Sequence, residues 1–179
     1  MIHVCSLARL HDTVEETGAR HVITLMRDVD LVVRPKAIAR ANHLVLEMDD
    51  ISGPIDGYTL PAEGHVADLI RFVRAWDRAA PLVIHCYAGI SRSTAGAFVT
   101  ACTLNPGRDE AAIAWALRRA SPSATPNIRI VAIADRMLER QGRMVEAVTA
   151  IGRGAPAYEG APFRLELDDT PVTPDRDKR

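Results

Sequence analysis

The chain has 179 residues, the usual length of one compact domain, and its 47% hydrophobic and 25% charged residues exclude a disordered or fibrous protein. The net charge is -1 and the uncharged apolar runs are short, so we expect neither a nucleic-acid partner nor a membrane span. Three cysteines without a CxxC pair, and an N-terminus without a signal pattern, predict reduced thiols in the cytoplasm and no structural zinc.

Four short apolar runs rich in β-branched residues predict strands. They lie at residues 2–7, 21–26, 43–48 and 81–86. The second and fourth runs contain nearly unbroken apolar stretches, which is typical of strands buried on both faces of a parallel sheet.

Helical periodicity appears between and after these runs. It predicts a helix through residues 66–76, with Pro61 near its start, and further helices near residues 93–104, 109–120 and 127–138. Asn127 is a favourable N-cap for the last of them. The pattern continues through residues 144–148, with Gly142 as a candidate break, so the sequence leaves one helix or two open.

This order of strands and helices predicts an α/β domain over residues 1–152. We expect a mostly parallel central sheet of four to five strands, flanked by helices in three layers. Residues 153–179 are rich in Pro, Gly, Asp and Arg, apart from a strand-like patch at 163–167. They are interpreted as a polar tail, partly docked or disordered.

The segment that follows the fourth predicted strand contains the residues that indicate chemistry. The strand ends at Cys86, and Arg92 follows after five intervening residues at the start of a helix. A short strand-to-helix loop directs backbone N–H groups toward one point, and the helix N-terminus adds the positive end of its dipole. Gly89 gives the loop conformations closed to other residues. The pattern predicts an anion-binding loop that favours the thiolate of Cys86.

Neighbouring side chains strengthen this interpretation. Arg92 carries a planar fork of donors that matches two oxygens of a phosphate. Ser93 is expected to form a hydrogen bond with the sulfur, and His85 to bond to the loop backbone and steady Cys86. A buried strand end with a structural cysteine is the alternative, but the whole pattern His-Cys-x-x-Gly-x-Ser-Arg-Ser rarely coincides by chance.

The motif from His85 to Ser93 resembles the signature of the cysteine-dependent protein tyrosine phosphatases. Three flanking segments are similar to the compact dual-specificity-like branch in its bacterial form: residues 18–25, 44–50 and 125–127. The resemblance covers roughly residues 1 to 150. It implies the three-layer phosphatase domain, with the signature loop (residues 86–92) at the C-terminal edge of the sheet.

The resemblance also implies a mechanism without metal or cofactor. The Cys86 thiolate attacks phosphorus, an aspartic acid protonates the leaving oxygen, and water then hydrolyses the phosphocysteine with the same aspartate as base. The matching Asn127 helps to hold the loop from behind, although its N-cap role alone needs no function. The implied substrate-binding residues are Tyr87, Ala88, Gly89, Ile90, Ser91 and Arg92.

The sequence offers several candidates for the general acid. Asp49 and Asp50 follow the third predicted strand and begin a loop with Gly and Pro, where a mobile carboxyl group reaches a substrate. Register favours Asp50 over Asp49, with Asp56 third. Asp68 lies inside a predicted helix and is interpreted as solvated surface, and Asp49 alternatively as a turn residue.

The substrate class and two rival functions stay open. The signature loop has no Lys, which favours a phosphorylated protein or a small aryl phosphate over a polyanionic inositol phosphate. Phosphotyrosine specificity is not separated from dual specificity, and the oligomeric state is unknown. One rival is a rhodanese-like sulfurtransferase, which also places a cysteine in a strand-to-helix loop. The other is a phosphate-binding or phosphopeptide-binding module, whose usual mark, loss of Cys or Arg, is absent here.

Overall fold

The computed structural model describes residues 1–167, which form a five-stranded sheet in the order β3-β2-β4-β1-β5. Strands β1 to β4 are parallel to one another, and only β5, at the edge beside β1, is antiparallel among the described strands. The prediction of a mostly parallel sheet is therefore confirmed. The strands are β1 (Ile2–Ser6), β2 (His21–Leu25), β3 (His43–Leu46), β4 (Leu82–Cys86) and β5 (Phe163–Leu165).

Six α-helices flank this sheet within the described residues. They are α1 (Leu10–Thr17), α2 (Glu63–Ala75), α3 (Arg92–Leu104), α4 (Glu110–Ala120), α5 (Ile128–Met137) and α6 (Arg143–Ile151). The question left open at Gly142 is resolved as two helices, because this glycine has a φ of 90° and is the N-cap of α6. Helix α1 was not predicted, since it is short and buries only Leu10, Thr13 and Val14.

The two faces of the sheet are covered unequally. Alternate strand residues such as Val4 and Ile84 pack against helices α2 to α6, whereas Cys5 and Val83 pack on the other face, where α1 and Ile38 lie. This arrangement confirms the three-layer α/β architecture. It also places Cys5 on the opposite face of the sheet from the Ile84 side, away from the signature loop's helix α3.

Helix α3 is the central helix, and it fixes where the signature loop lies. Nearly all of its residues are buried, and an ideal Cβ on Gly96 would lie 3.2 Å from Cγ2 of Ile84. The helix therefore packs closely over β4, and the loop that joins them lies at the C-terminal edge of the sheet, the usual location of ligand sites in parallel sheets.

The predicted tail is partly within the described residues. The strand-like patch at 163–167 contains β5, which pairs with β1, whereas residues 168–179 lie outside the described part of the chain. The domain boundary at residue 152 stays a prediction. In residues 1–167, no helix is long and apolar enough to cross a membrane, and no group of three His, Cys, Asp or Glu side chains is placed to hold a metal.

Candidate active site

The signature loop wraps around the sulfur of Cys86. The side chain is buried, its Sγ lies 3.2 Å from Oγ of Ser93, and the Gly89 N–H donates to Sγ at 3.3 Å. Gly89 has a φ of +74°, and an ideal Cβ there would lie 2.8 Å from the backbone nitrogen of Ser6. Only glycine satisfies both the left-handed backbone and this approach to β1.

Carbonyl oxygens of the loop are bonded to backbone N–H groups of neighbouring segments. The bonds run from Leu7 to Tyr87 at 3.1 Å, from Thr125 to Ile90 at 2.9 Å and from Asn127 to Ser91 at 3.3 Å. In a trans peptide the C=O and the following N–H point in opposite directions. Outward carbonyls therefore turn the N–H groups of the loop inward, as an anion-binding loop requires.

Arg92 lies inside the site rather than on an exposed lip. Its residue is only 9% exposed, and Nη1 donates to the Met48 carbonyl at 2.8 Å, which ties the side chain to the segment after β3. The buried Nε has no hydrogen-bond partner among residues 1–167. A buried unpaired donor on a cation is costly, and an anion bound beside Arg92 would supply the missing acceptor.

Asp49 and Asp50 have different environments. Asp49 is buried, its Oδ2 accepts from the Thr59 N–H at 2.7 Å, and its own N–H donates to the Thr59 carbonyl at 2.8 Å. Arg27 lies 3.7 Å from its other oxygen. Asp50 is exposed, and its Oδ1 accepts from Ser91 Oγ at 2.7 Å and from Asn127 Nδ2 at 2.8 Å. Asp49 therefore closes the following loop, while Asp50 lies against the signature loop.

Asn127 connects three parts of the site. Its side-chain oxygen accepts from the N–H groups of Arg129 and Ile130 and caps α5. Its amide nitrogen donates to Asp50 and, at 3.4 Å, to the Ile51 carbonyl, and its backbone N–H holds the signature loop at Ser91. The two interpretations of Asn127, as an N-cap and as a residue that holds the signature loop, each have a corresponding contact. The bond from its side chain to Asp50 was not predicted.

His85 is wholly buried behind the loop. Its Nε2 lies 2.7 Å from Oγ1 of Thr24, which in turn lies 2.8 Å from Nε2 of His43. This hydrogen bond to a side chain of β2 was not predicted from the sequence, and the expected bond to the loop backbone stays a prediction. Burial lowers the pKa of His85 from 6.5 to about 4, so the ring is neutral at pH 7.

A cavity of about 280 Å³ opens in front of Arg92. Two exposed aromatic rings, Tyr58 and Tyr87, stand at its wall, and the guanidinium of Arg27 lies 5.2 Å from the centre of the Tyr58 ring. The full lining is Met26, Arg27, Asp28, Asp49, Asp50, Ile51, Tyr58, Tyr87 and Arg92. Arg27 and Tyr58 were missed from the sequence, and the one available signal was that Arg27 follows a strand whose end lies at this edge.

The other two aspartates considered in the sequence, Asp56 and Asp68, lie outside the cavity. Asp56 is exposed in the loop after Asp50 and does not line the cavity, and Asp68 lies on α2, where it pairs with Arg71 at 2.6 Å. The structure thus brings together Cys86, Arg92, Asp50, Ser91 and Asn127, and it leaves Asp56 and Asp68 outside.

No model of a known protein family and no curated relative matches the sequence. Solved structures do match in three dimensions. DUSP15 has a TM-score of 0.60 at 16% identity, with 83% of this chain and 90% of that chain covered. Human DUSP28 has a TM-score of 0.60 at 16% identity, with 78% and 92% covered. PTPMT1 in complex with PI(5)P has a TM-score of 0.59 at 14% identity, with 84% and 94% covered.

A fourth neighbour is described as phosphatase-like and as an interacting protein, not as a phosphatase. The human tyrosine phosphatase-like serine/threonine/tyrosine-interacting protein has a TM-score of 0.60 at 16% identity, with 78% and 92% covered. The resemblance to bacterial forms stays a prediction. At these identities the likeness concerns architecture, and it agrees with the signature motif: the chain has the fold of the dual-specificity branch of the cysteine-dependent protein tyrosine phosphatases.

Proposed function

We propose that the protein is a phosphoprotein phosphatase, acting on phosphotyrosine with dual specificity left open, that hydrolyses phosphate monoesters through a phosphocysteine. The observation that carries the proposal is that Arg92 lines a cavity together with Asp50, while its buried Nε has no hydrogen-bond partner among residues 1–167. A phosphate dianion supplies the missing acceptor, and the loop N–H groups supply further donors around it. A small aryl phosphate is the alternative substrate of the same chemistry.

In the first step, Sγ of Cys86 forms a bond to phosphorus while the bond to the leaving oxygen breaks. Asp50, as a carboxylic acid, gives its proton to that oxygen. Its Oδ1 is held by Ser91 and Asn127, which leaves Oδ2 to carry the proton. Arg92 and the N–H groups of residues 87–92 stabilise the charge on the equatorial oxygens.

In the second step, a water molecule attacks phosphorus and the bond from phosphorus to sulfur breaks. Asp50, now a carboxylate, takes the proton of the water, and inorganic phosphate and the Cys86 thiolate are released. Ser93 lies 3.2 Å from the sulfur and stabilises it as the leaving group. The role of His85 is to fix the end of β4 through Thr24.

The proposal includes a cytoplasmic location. The three cysteines are free and buried, which suits a reducing compartment. We expect no nucleic-acid or membrane partner and no metal or cofactor in the reaction.

The test is hydrolysis of p-nitrophenyl phosphate with EDTA present, from pH 5 to 8. We expect metal-independent turnover that Cys86→Ser abolishes and that Cys102→Ser, a matched change at a buried cysteine of α3, retains in its folded fraction. Rapid acid quenching of the wild type should trap Cys86 with the mass of one added phosphoryl group. Absence of turnover by the wild type, with a phosphotyrosine peptide still bound, would support the binding module instead. Thiosulfate:cyanide turnover would support the sulfurtransferase.

A further inference from the structure

The chain after α6 passes beside the signature loop before it enters β5. We call residues 152–162 the C-terminal strap. Its first end is fixed by Arg118, whose guanidinium donates to the carbonyls of Gly152 at 2.9 Å and Arg153 at 3.3 Å. Gly154 and Ala155 then donate to Oγ1 of Thr125 at 3.0 Å and to the Pro122 carbonyl at 2.9 Å.

The second end of the strap is fixed by the sheet. β5 pairs with β1 through Leu165 opposite Ile2 and Phe163 opposite Val4. Leu165 and Leu167 are buried in the main core. The strap is therefore anchored at both ends, and its middle is held against the part of the domain that it crosses.

Beneath the middle of the strap lies the signature loop. The Gly160 N–H donates to the Ala88 carbonyl at 2.8 Å, and an ideal Cβ on Gly160 would lie 2.8 Å from the Gly89 oxygen. Beside it, Oε1 of Glu159 accepts from Oγ of Ser6 at 2.5 Å. Ser6 is the residue of β1 that stands opposite Cys86 in the sheet.

These contacts act on one peptide group. The Ala88 carbonyl and the Gly89 N–H belong to the same planar unit, whose two polar ends point in opposite directions. The strap holds the oxygen, while the N–H at the other end donates to Sγ of Cys86 at 3.3 Å. Rotation of this peptide would break both bonds together.

We propose that Gly160 is a positioning residue that acts through the Ala88–Gly89 peptide to aim an N–H at the nucleophilic sulfur, with Glu159 locking the strap in register. A hydrogen bond from an N–H to an anion favours the charged form. The strap therefore belongs to the apparatus that keeps Cys86 reactive, although Gly160 lies 67 residues beyond Ser93, the end of the motif. The inference rests on the proposed function for the use of that thiolate.

The test measures alkylation of Cys86 by iodoacetamide as a function of pH, in the full chain and without substrate. Cys5 and Cys102 do not compete, because burial raises the pKa of each thiol to about 12. Gly160→Ala places a methyl group against the Gly89 oxygen. Loss of a hydrogen bond to a charged acceptor changes an equilibrium by about tenfold, so we expect up to about tenfold slower alkylation near pH 6.

The matched control is Gly107→Ala, a glycine of an exposed turn whose ideal Cβ meets no atom within 4 Å. It should leave the alkylation profile unchanged. Glu159→Ala should shift the profile in the same direction, and Glu159→Gln, which retains an oxygen acceptor for Ser6, should restore it. This rescue separates positioning from general loss of stability, which circular dichroism and thermal unfolding record for each variant.

A folded Gly160→Ala protein with the wild-type profile overturns the inference, whatever its melting temperature. If Gly160→Ala does not fold, the Glu159 pair decides: equal profiles for Ala and Gln overturn the inference, and a shift that Gln reverses supports it. A shifted profile in a protein that does not hydrolyse phosphate monoesters supports the inference while the proposed function fails. The two failures are therefore distinguishable.

Discussion

Asp49 and Asp50 are adjacent in sequence, but their side chains have environments that suit different roles. The carboxylate of Asp49 is buried, bonded to the Thr59 backbone and close to Arg27, so it serves to close loop 50–58. Asp50 is exposed beside the signature loop, where water and substrate reach it. The proposed mechanism requires a general acid that exchanges its proton with solvent in every turnover, and of these two residues Asp50 is the exposed one.

Replacement of each carboxyl by its amide should separate the two. Asp50→Asn is expected to lower kcat for p-nitrophenyl phosphate by about 10²–10⁴-fold and to remove the basic limb of the pH–rate profile, since an amide donates no proton in this way. Asp49→Asn should keep the basic limb. The measurement is kcat from pH 5 to 8 for both variants. A basic limb that persists in Asp50→Asn and disappears in Asp49→Asn would reverse the assignment.

Sequence reasoning reached this pair and favoured Asp50 by register, but it could not show how the environments of the two carboxyl groups differ. Both residues follow an apolar strand, which is enough to place them at the edge of a parallel sheet. What distinguishes them is a backbone pairing between Asp49 and Thr59, ten residues later, and a side-chain bond from Asn127. Neither contact leaves a periodic pattern in the sequence, because each depends on how the loops fold in three dimensions.

At the scale of an element, the N-terminus of α5 is also a component of the site. Asn127 caps the helix with its oxygen and holds Asp50 with its nitrogen. The apolar spacing of this helix made its start predictable, and the cap residue was identified for the same reason. The second contact was beyond reach, since an N-cap requires only one end of the amide.

This double role predicts more than the loss of a cap. Asn127→Ala should destabilise the fold by about 0.5–2 kcal/mol, as other cap removals do, and should also lower kcat in the folded enzyme. Asp109→Ala is the control, because Asp109 caps α4 through Ala111 and Ala112. Thermal unfolding and kcat at saturating substrate are compared. We expect similar losses of stability in the two variants and a lower kcat in Asn127→Ala alone. An unchanged kcat in both variants would mean that Asn127 acts only as an N-cap.

At the scale of the whole molecule, contacts between segments that are distant in sequence were the hardest feature to predict. The parallel strands and most helices followed from apolar runs and helical periodicity, because burial on one or two faces imposes those patterns. The position of β5 beside β1, and of the strap against residue 88, depends on chain paths that no local pattern encodes. The polar composition of residues 153–179 predicted a tail, partly docked or disordered. In its described part, Arg118 donates to the Arg153 carbonyl and β5 pairs with β1.

The buried histidine behind the loop links the site to the stability of the entire fold. The pKa of His85 is about 4 in the folded protein because burial disfavours the charged ring, whereas an unfolded chain has the ordinary value of 6.5. Between these values the unfolded state binds a proton that the folded state does not. His85 therefore makes no pH-dependent contribution above pH 6.5, and it reduces stability progressively as the pH falls from 6.5 to 4.

This linkage predicts that the wild-type free energy of unfolding falls on acidification and that about 2 kcal/mol of the fall between pH 7 and pH 5 comes from His85. His85→Gln should be less stable at pH 7, because Thr24 loses one of its two histidine partners, but its pH dependence should be shallower by that amount. Urea unfolding at pH 7, 6 and 5 gives the slopes, with His11→Gln, an exposed histidine of α1, as the control. Differences in slope matter here and absolute stabilities do not, since burial also lowers the pKa of His3, His21 and His43 and adds a common background. Parallel slopes for wild type and His85→Gln would mean that the ring takes up its proton in the folded protein at the same pH as in the unfolded chain, and the neutral bridge through Thr24 at pH 5 would then be wrong.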